Sequence, residues 1–369
     1  MLTPGRSAML AHAPAARGPE ACLRAAVALA VPPRAPLLLA VSGGSDSMAL
    51  LAAAHRALPG RLAVAHVRHR LRADAERDAA LVEDACRQLG LPCLAVEAGP
   101  SPADPARTET AARRRRLAAL RLAAHRAGAR WILLAHHRDD DLETLLLRLQ
   151  RGHAGDRALC GIPTVRALGD DATLLRPFLL GPQPPGRAEL ARLRQEVGLP
   201  HAEDPTNTDQ RIPRNRIRAA LAHDEPVAPR RLLALRNAAR ARLARRLADV
   251  TAALAAGLAT EGLGSRLDLS PALRGMLLAD SSGEDLVELL RLLGGCLRRP
   301  RRVDPRAAVL RQLAACLPRG AGTLSLPATP APLELRVARD ALRLPHEPLR
   351  EDAGDARALS ALLATPLYL

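Results

Sequence analysis

The chain has 369 residues and a mass of 39.2 kDa, a length that favours two or three domains over one. Its formal net charge is +16, with 54 basic residues that are all arginine against 38 acidic ones. Such an excess predicts a polyanionic partner, with nucleic acid as the leading candidate. A compositional bias would explain the choice of arginine but not the excess over acids. Aromatic residues make up 1% of the chain, which nearly excludes base stacking on aromatic rings.

Membrane insertion and secretion are not expected from this sequence. No segment reaches the roughly 18 apolar residues of a membrane span. The apolar run Ala25–Val31 is followed by two prolines rather than by a small-residue cleavage site. The six cysteines form no CxxC pair and no zinc or iron–sulfur spacing, so they predict buried or free thiols. A cytoplasmic protein is expected.

Apolar strand-like runs alternate with helical periodicity over residues 36–151. The predicted strands are Pro36–Val41, Arg61–Val67, Pro92–Val96 and Arg130–Ala135. The predicted helices are Asp46–Leu58, Asp74–Leu89, Thr108–Ala127 and Asp141–Arg151. The alternation predicts an α/β fold with a doubly wound, Rossmann-like parallel sheet. Ligands of such sheets bind beyond the carboxyl ends of the strands, where Ser42–Ser47, His66 and His136 would meet.

A different organisation is predicted towards the C-terminus. A segment rich in proline and glycine, 181–186, precedes a predicted helix at Arg187–Val197. Arginine-rich helices at Arg230–Val250, Ser282–Leu297 and Asp304–Leu317 and strand-like runs at Gly322–Leu326 and Leu333–Leu344 then predict a smaller helical or α+β domain. The expected division is a leader with little structure or a short helix at 1–35, a nucleotide-binding domain at 36–180, a helical extension at 181–225 and a C-terminal domain at 226–369.

A loop of small residues follows the first predicted strand. It reads Ser42-Gly43-Gly44-Ser45-Asp46-Ser47, and its glycines allow a sharp turn close to an anion. Its amides and hydroxyls are placed to hold phosphate at the start of a helix. The alternative is a plain turn between strand and helix. Because the loop has no lysine, the Walker pattern GxxxxGK[ST] is absent.

A second cluster, Ala135-His136-His137-Arg138-Asp139-Asp140-Asp141-Leu142-Glu143-Thr144, enters the fourth predicted helix. Asp140 and Glu143 are three residues apart, so their carboxylates share one face of the helix. Such a pair suits Mg²⁺ together with substrate phosphates, or a cationic amine. The alternative is that the acids only cap the helix and favour its positive end.

Three further features carry histidine or arginine. His66 ends the second predicted strand and suits a contact to adenine or ribose, or a simple surface hydrogen bond. Arg113 and Arg116 form one stripe of a helix, which is either a phosphate-binding face or a solvated one. The turn Asp204–Asp209 is followed by the basic segment Arg214–Arg218.

The loop Ser42–Ser47 resembles the pyrophosphate loop of the PP-loop ATP pyrophosphatases, which split ATP into AMP and pyrophosphate. In their order, the elements resemble one family of that superfamily, the bacterial tRNA(Ile)-lysidine synthetases. The matching motifs are SGGxDS at Ser42–Ser47, HxxHxLR at His66–Arg72, ARxxR at Ala112–Arg116, HHxDDxxET at His136–Thr144, DxxNxD at Asp204–Asp209 and RNRIR at Arg214–Arg218. Asp141 departs from the family, which usually has glutamine there.

The resemblance implies ATP-dependent ligation of L-lysine to C2 of the wobble cytidine of a CAU-anticodon tRNA(Ile), through an adenylated cytidine. It implies catalytic roles for Asp46, Asp140 and Glu143, with Mg²⁺ at Asp46 and Asp140. The residues expected to bind ATP are Ser42, Gly43, Gly44, Ser45, Asp46, Ser47 and His66. The residues expected to bind tRNA are Arg113, Arg116, Arg151, Asn207, Arg214, Asn215, Arg216 and Arg218. A homodimer is compatible with the sequence.

Three alternatives remain open at this stage. A sulfur-transferring tRNA thiolase would need a catalytic cysteine pair or an iron–sulfur site, for which the cysteine spacing is unsuitable. NAD and GMP synthetases share the loop but leave the arginine excess unexplained. A non-catalytic RNA-binding protein on the same fold would need neither Ser42–Ser47 nor His136–Thr144 intact.

Overall fold

The computed structural model describes residues 17–68, 75–98, 109–153, 155–169, 171–203, 210–211, 213–223, 227–261 and 264–268, and shorter stretches between 270 and 344. The described part of the chain divides into two compact units, with the division between residues 240 and 241. The division falls within a long helix. The domain boundaries expected from the sequence, at 35/36, 180/181 and 225/226, stay predictions.

The first unit alternates strands and helices in the way that the sequence predicts. Its strands are β1 Leu37–Ala40, β2 Leu62–Arg68, β3 Cys93–Glu97, β4 Trp131–Leu133, β5 Val165–Leu168 and β6 Ala172–Leu175. Its helices are α1 Pro19–Ala30, α2 Ser45–Ala57, α3 Ala75–Gln88, α4 Glu109–Arg126, α5 Arg138–Gln150, α6 Asp156–Leu159, α7 Arg187–Val197, α8 Pro213–His223 and the start of α9 Val227–Gly257, with a 3₁₀ turn at Pro177–Leu179.

The six strands form one sheet in the order β3-β2-β1-β4-β6-β5. Every neighbouring pair is parallel except β5 and β6, which form an antiparallel hairpin at the edge. Leu37 pairs with Leu62 on one side and with Trp131 on the other, so β1 lies at the centre. The predicted doubly wound α/β fold is therefore confirmed, and the edge hairpin is an addition that the sequence analysis did not contain.

Apolar burial explains why β1 occupies the centre. Its three leucines are fully buried, as expected of a parallel strand covered on both faces. On one face, α4 packs through Leu120 and Ala123 against Leu38 and Ile132. On the other face, α2 is buried along most of its length, from Met48 onward. The carboxyl end of β1 is thus held rigidly between two helical layers.

The second unit contains a five-stranded antiparallel sheet in the order β10-β12-β13-β8-β7. Its strands are β7 Leu258–Glu261, β8 Gly264–Asp268, β10 Ala321–Leu326, β12 Leu333–Ala338 and β13 Ala341–Leu344, and a separate pair joins β9 Arg302–Val303 to β11 Ala328–Thr329. The predicted single run Leu333–Leu344 is in fact a hairpin of two strands. Most of the predicted helices at 282–297 and 304–317 lies outside the described residues. Nowhere in the described part of the chain is a helix both long and apolar enough to cross a membrane.

Candidate active site

The loop between β1 and α2 requires glycine at its first sharp turn. Gly43 has a φ of +90°, a conformation that side-chain-bearing residues rarely adopt. Its carbonyl accepts a hydrogen bond from the amide of Ala202 at 2.9 Å, so the loop is also held from the segment after α7. The backbone of this loop is therefore fixed at the carboxyl end of the central strand.

Two serines shape the loop from within. The Ser47 hydroxyl donates to the carbonyl of Gly44 at 2.9 Å and accepts from the amide of Ser42 at 3.1 Å. Gly44 is the N-cap of α2 and provides no side-chain cap, so the first amides of that helix point out of its end. A helix start of this kind suits an anion. The predicted phosphate contacts of Ser42–Ser47 fit this geometry, and Ser47 adds a structural contribution.

His66 lies near the end of β2 and is buried. Its Nδ1 lies 3.0 Å from the carbonyl of Val41, which accepts a hydrogen bond from it. Burial lowers the pKa of His66, and the hydrogen bond to Val41 opposes this only in part. The imidazole is therefore held in one tautomer next to the loop, where its predicted contact to ATP remains a prediction.

His137 links the loop to helix α5. It is fully buried and caps α5, because its Nδ1 accepts from the amide of Asp139 at 3.2 Å. Its Nε2 lies 3.3 Å from Asp46 Oδ2 and 3.5 Å from Asp140 Oδ2. Burial opposes a charge on His137, but the close carboxylates of Asp46, Asp140 and Asp139 together outweigh it and raise the pKa of His137. Asp46 and Asp140 thus converge on one nitrogen.

Asp46 is one of the two residues at which the sequence predicts a magnesium ion. Its Oδ1 is buried and has no hydrogen-bond partner among the described residues, although Arg187 Nε lies 3.8 Å away. Burial alone would raise the pKa of Asp46, but His137 and Arg187 outweigh it and lower that pKa. Ionised carboxylate oxygens are the ligands that Mg²⁺ prefers. Within the described ranges, no cluster of three or more histidine, cysteine or acidic residues has the geometry of a metal site.

The three consecutive aspartates point in three directions. Asp139 accepts from the amide of Arg187 at 2.8 Å and so caps α7. Asp140 accepts from the amide of His137 at 3.1 Å and faces the site. Asp141 is 2% exposed and lies on the opposite side of the helix, 2.8 Å from Nε of the buried Arg236. Of the three, the structure brings Asp140 to the side of Asp46.

Glu143 is occupied by two arginines of α8. Arg214 Nε donates to Glu143 Oε2 at 2.5 Å, and Arg218 Nε donates to Glu143 Oε1 at 2.9 Å. Arg214 also donates to Asp140 Oδ1 at 3.0 Å. Asp140 and Glu143 therefore share one face of α5, as their spacing predicts. Because guanidinium groups already sit on them, this face accepts a side-chain cation.

The other residues predicted to bind tRNA lie in varied surroundings. Arg113 is exposed on α4, and Arg116 is half-buried one turn later. Arg151 is exposed at the end of α5. Asn215 is buried, while the exposed Arg216 donates to the carbonyl of Gln210 at 3.2 Å. Asn207 lies outside the described residues.

Sequence reasoning gave no role to Arg187 or to Arg176. Arg187 reaches Asp46 from the first position of α7, and a start signal for that helix was visible in Gly186 and Glu189, whose carboxylate accepts a hydrogen bond from the Gly186 amide. Arg176 follows β6 and is 1% exposed. The family resemblance already includes Arg176 together with Pro177, but a buried arginine has no local sequence signal of its own, so its burial was not predicted.

The chain matches the protein family described as PP-loop domain over residues 23–225. That range is more than half of the chain and contains the loop and helices α5 and α8. The fold and the loop therefore define a PP-loop ATP-binding protein. Among solved structures, a U34-tRNA thiolase from Methanococcus maripaludis with its [4Fe-4S] cluster matches at 12% identity and a TM-score of 0.48, over 60% of this chain and 78% of that one.

Two relatives show which family of PP-loop proteins the chain is similar to. The tRNA(Ile)-lysidine synthase of Salinispora arenicola is 40% identical over 282 residues, which are 70% of this chain and 80% of that protein. The enzyme of the same name from Polaromonas naphthalenivorans is 41% identical over 186 residues, half of this chain and 55% of that protein. The chain belongs to the tRNA(Ile)-lysidine synthase family. It spans little more than half the length of the Polaromonas relative in that match.

Proposed function

We propose that this protein attaches L-lysine to C2 of the wobble cytidine of CAU-anticodon tRNA(Ile), at the expense of ATP, which it converts to AMP and pyrophosphate. The product, lysidine, changes the codon that the tRNA reads from AUG to AUA. The observation that carries the proposal is the cation-accepting pair Asp140 and Glu143 beside the loop of Asp46. Family membership supports the proposed reaction, and the geometry of these residues supports the proposed positions of its two small substrates.

In the first step, the cytidine O2 attacks the α-phosphorus of ATP, and the bond to pyrophosphate breaks. A urea-like carbonyl oxygen is a poor leaving group, and adenylation converts it into a good one. The amides at the start of α2 would hold the pyrophosphate, since they point out of the helix end. His66, with its Nδ1 proton directed to Val41, would present the other ring nitrogen towards the nucleotide.

A magnesium ion would be held by the carboxylates of Asp46 and Asp140. Bound there, it would neutralise phosphate charge and orient the leaving pyrophosphate. His137 fixes the two side chains, because its Nε2 lies within 3.5 Å of both. Arg187 would add a positive charge to the same side of the phosphates.

In the second step, the lysine ε-amine attacks C2, and the bond to the adenylate oxygen breaks, releasing AMP. Asp140 and Glu143 would bind the lysine as its ammonium form before it loses a proton. Arg214 and Arg218 now occupy that position, so the ammonium must share it or displace one of them. Arg214 is 39% exposed, which makes it the arginine that can leave.

The tRNA would bind along the arginines at 113, 116, 151, 214, 216 and 218. Such contacts weaken steeply as salt concentration rises, because counterions are released on binding. A substrate of this kind places the enzyme in the cytoplasm. We keep a homodimer as a prediction that light scattering of the purified protein would test.

The function is tested by incubating the protein with ATP, Mg²⁺, labelled lysine and a CAU tRNA(Ile) transcript, and counting the label on RNA. We expect label on tRNA(Ile) and none on a tRNA(Met) control. Asp46→Asn should abolish transfer while RNA binding persists, and Asp84→Asn, on the exposed face of α3, is the matched control. Pyrophosphate release without labelled RNA would contradict lysine as the nucleophile.

A further inference from the structure

Arg176 is a fully buried cation without a paired acid in the described part of the chain. It directly follows β6 and is 1% exposed. Its Nη1 donates to the carbonyl of Pro163 at 2.6 Å, and its Nε has no hydrogen-bond partner among the described residues. Burying a guanidinium in this way is costly unless an anion compensates it. Burial and the nearby Arg113 lower the pKa of Arg176 to about 9, which reflects the same cost.

Two more nitrogens without partners lie beside Arg176. His136 follows β4, and since Leu133 pairs with Leu175 in the parallel sheet, His136 and Arg176 leave adjacent strands at one edge. The Nδ1 of His136 and the Nε of Arg116 are both buried and lack a hydrogen-bond partner within the described ranges. Burial, with Arg176 and Arg116 nearby, holds the pKa of His136 well below its ordinary value. A neutral imidazole and two guanidinium groups together form a site for an anion.

The position of this cluster separates it from the loop that would hold pyrophosphate. The loop follows β1, and His66 comes from β2 on one side of it. In the cluster, His136 follows β4 and Arg176 follows β6, on the other side, and Arg116 lies in α4. The exposed fraction of the arginine side chains falls from Arg113 at the surface, through Arg116, to Arg176 in the interior. The successive phosphates of an RNA strand that enters from solvent would contact these arginines in turn. The phosphates of ATP would instead bind to the loop Ser42–Ser47.

We propose that Arg116, His136 and Arg176 form a second phosphate site that binds a backbone phosphodiester of the RNA. This inference rests on the proposed function, in which one nucleotide of the tRNA must enter the cleft. Its flanking phosphates enter with it and lose water, so they need buried cations in exchange. The site would then position the cytidine over the adenylating phosphate without reading its base.

The test measures dissociation constants for an RNA stem-loop with a CAU anticodon and, separately, for ATP. Arg176→Met and His136→Ala should each weaken RNA binding about tenfold or more, since a buried charge-assisted contact is lost. ATP binding should stay unchanged in both. Arg194→Met is the matched control: Arg194 is also buried, donates to the carbonyl of Leu199 at 2.6 Å and has an Nε without a partner among the described residues, but it lies in α7.

Other results of these binding measurements would contradict either the RNA site or the proposed function. Weakened ATP binding with intact RNA binding would assign the cluster to a nucleotide phosphate, and unchanged binding of both would make it structural. Failure of the unaltered protein to bind the stem-loop would refute the RNA site itself. RNA binding that depends on Arg176 without any lysine transfer would refute only the proposed function. If Arg176→Met does not fold, His136→Ala decides alone, because His136 is half-buried outside the strand.

Discussion

Helix α5 meets arginines on two opposite faces, and the two faces differ in burial rather than in charge. On one face, Asp141 binds Arg236, and both side chains are at most 2% exposed. On the other, Asp140 and Glu143 bind Arg214, whose side chain is 39% exposed. A closed ion pair and an open one are therefore built from the same residue types on a single helix.

Burial decides what each face can do. Separating a fully buried pair leaves an uncompensated charge in a medium of low dielectric, so Asp141 and Arg236 stay together. An arginine that is partly exposed can return to water at little cost, so Arg214 can exchange for another cation. The closed face fixes the helix, and we propose that the open face binds a substrate. The following variants break one face at a time.

The largest effect is expected from Asp141→Asn. It leaves Arg236 without its acid, and Arg240, which lies 3.5 Å from the same carboxylate, loses it too. The free energy of unfolding in urea should fall by about 3–5 kcal/mol. Burial and Arg240 already lower the pKa of Arg236 to about 10, and Asp141 opposes this shift. Removing the Asp141 carboxylate should therefore lower the pKa of Arg236 further.

The double variant Asp141→Asn with Arg236→Met serves as the control for charge. Removing both partners should cost less than the sum of the two single changes, because Arg236 is then no longer buried without its acid, although Arg240 still loses the Asp141 carboxylate. Full recovery is not expected, since Arg236 also donates to the carbonyls of Leu179 and Gly181. Additive losses would show that the pair has no special coupling.

A smaller loss of stability is expected from Gly161→Ala, which adds a methyl group next to Asp141 on the closed face. Gly161 has a φ of +71°, and a Cβ there would lie 2.1 Å from Asp141 Oδ1. Thermal or urea unfolding should show a loss of about 2 kcal/mol from strain and displacement together. Gly198→Ala separates the two causes: its φ is +74°, but no described atom lies within 4 Å of the new Cβ. Equal losses in both variants would refute the contact with Asp141.

Glu143→Gln breaks the open face and should cost only about 1 kcal/mol in urea unfolding, because Arg214 and Arg218 can rehydrate. The two arginine side chains are 39% and 28% exposed, whereas Arg236 is 1% exposed. A loss as large as that of Asp141→Asn would erase the distinction between the two faces.

The smallest effect concerns pH. In an unfolded chain, histidine takes up a proton around pH 6.5, but the folded protein resists this at His136, whose pKa is well below that value through burial and Arg176. The free energy of unfolding therefore keeps its full value, as far as His136 is concerned, above pH 6.5. It decreases as the pH falls below 6.5, because the unfolded chain then takes up a proton that folded His136 does not. Between pH 7 and pH 6 this loss is at most about 0.7 kcal/mol.

His136→Gln should remove that part of the pH dependence in urea titrations at the two pH values. The raised pKa of His137, in which the carboxylates of Asp46, Asp140 and Asp139 together outweigh burial, acts with the opposite sign and is common to both proteins. The difference between the two curves therefore isolates His136. Identical pH dependence in both proteins would contradict a buried neutral imidazole.

The sequence was sufficient for the parallel sheet and for the loop, because both depend on local patterns. Strand β1 is a short apolar run before two glycines, and the spacing of Asp140 and Glu143 places both on one face. The hairpin of β5 and β6 was missed. Its strands have only four residues each and show no clear alternation, although the glycine and aspartates at 169–171 were a turn signal.

The arginine pairings could not be predicted in the same way. Arg214 is 71 residues from Glu143, and Arg236 is 95 residues from Asp141, so no periodicity links them. The segment Arg214–Arg218 was interpreted as a surface for RNA phosphates, yet two of its guanidinium groups lie on the carboxylates of α5. In a chain this rich in arginine, composition alone does not distinguish an arginine that is available to bind RNA from one that is already paired with a carboxylate of the protein.

The central claim is that the open face of α5 binds lysine, and a lysine titration of Glu143→Gln tests it most directly. Label transferred to the CAU tRNA would be followed at saturating ATP, with pyrophosphate release measured in parallel. We predict a KM for lysine raised about tenfold or more, with pyrophosphate release retained, because only a charge-assisted contact to the ammonium is lost. Lost pyrophosphate release with an unchanged KM for lysine would contradict the account and move Glu143 to the adenylation step.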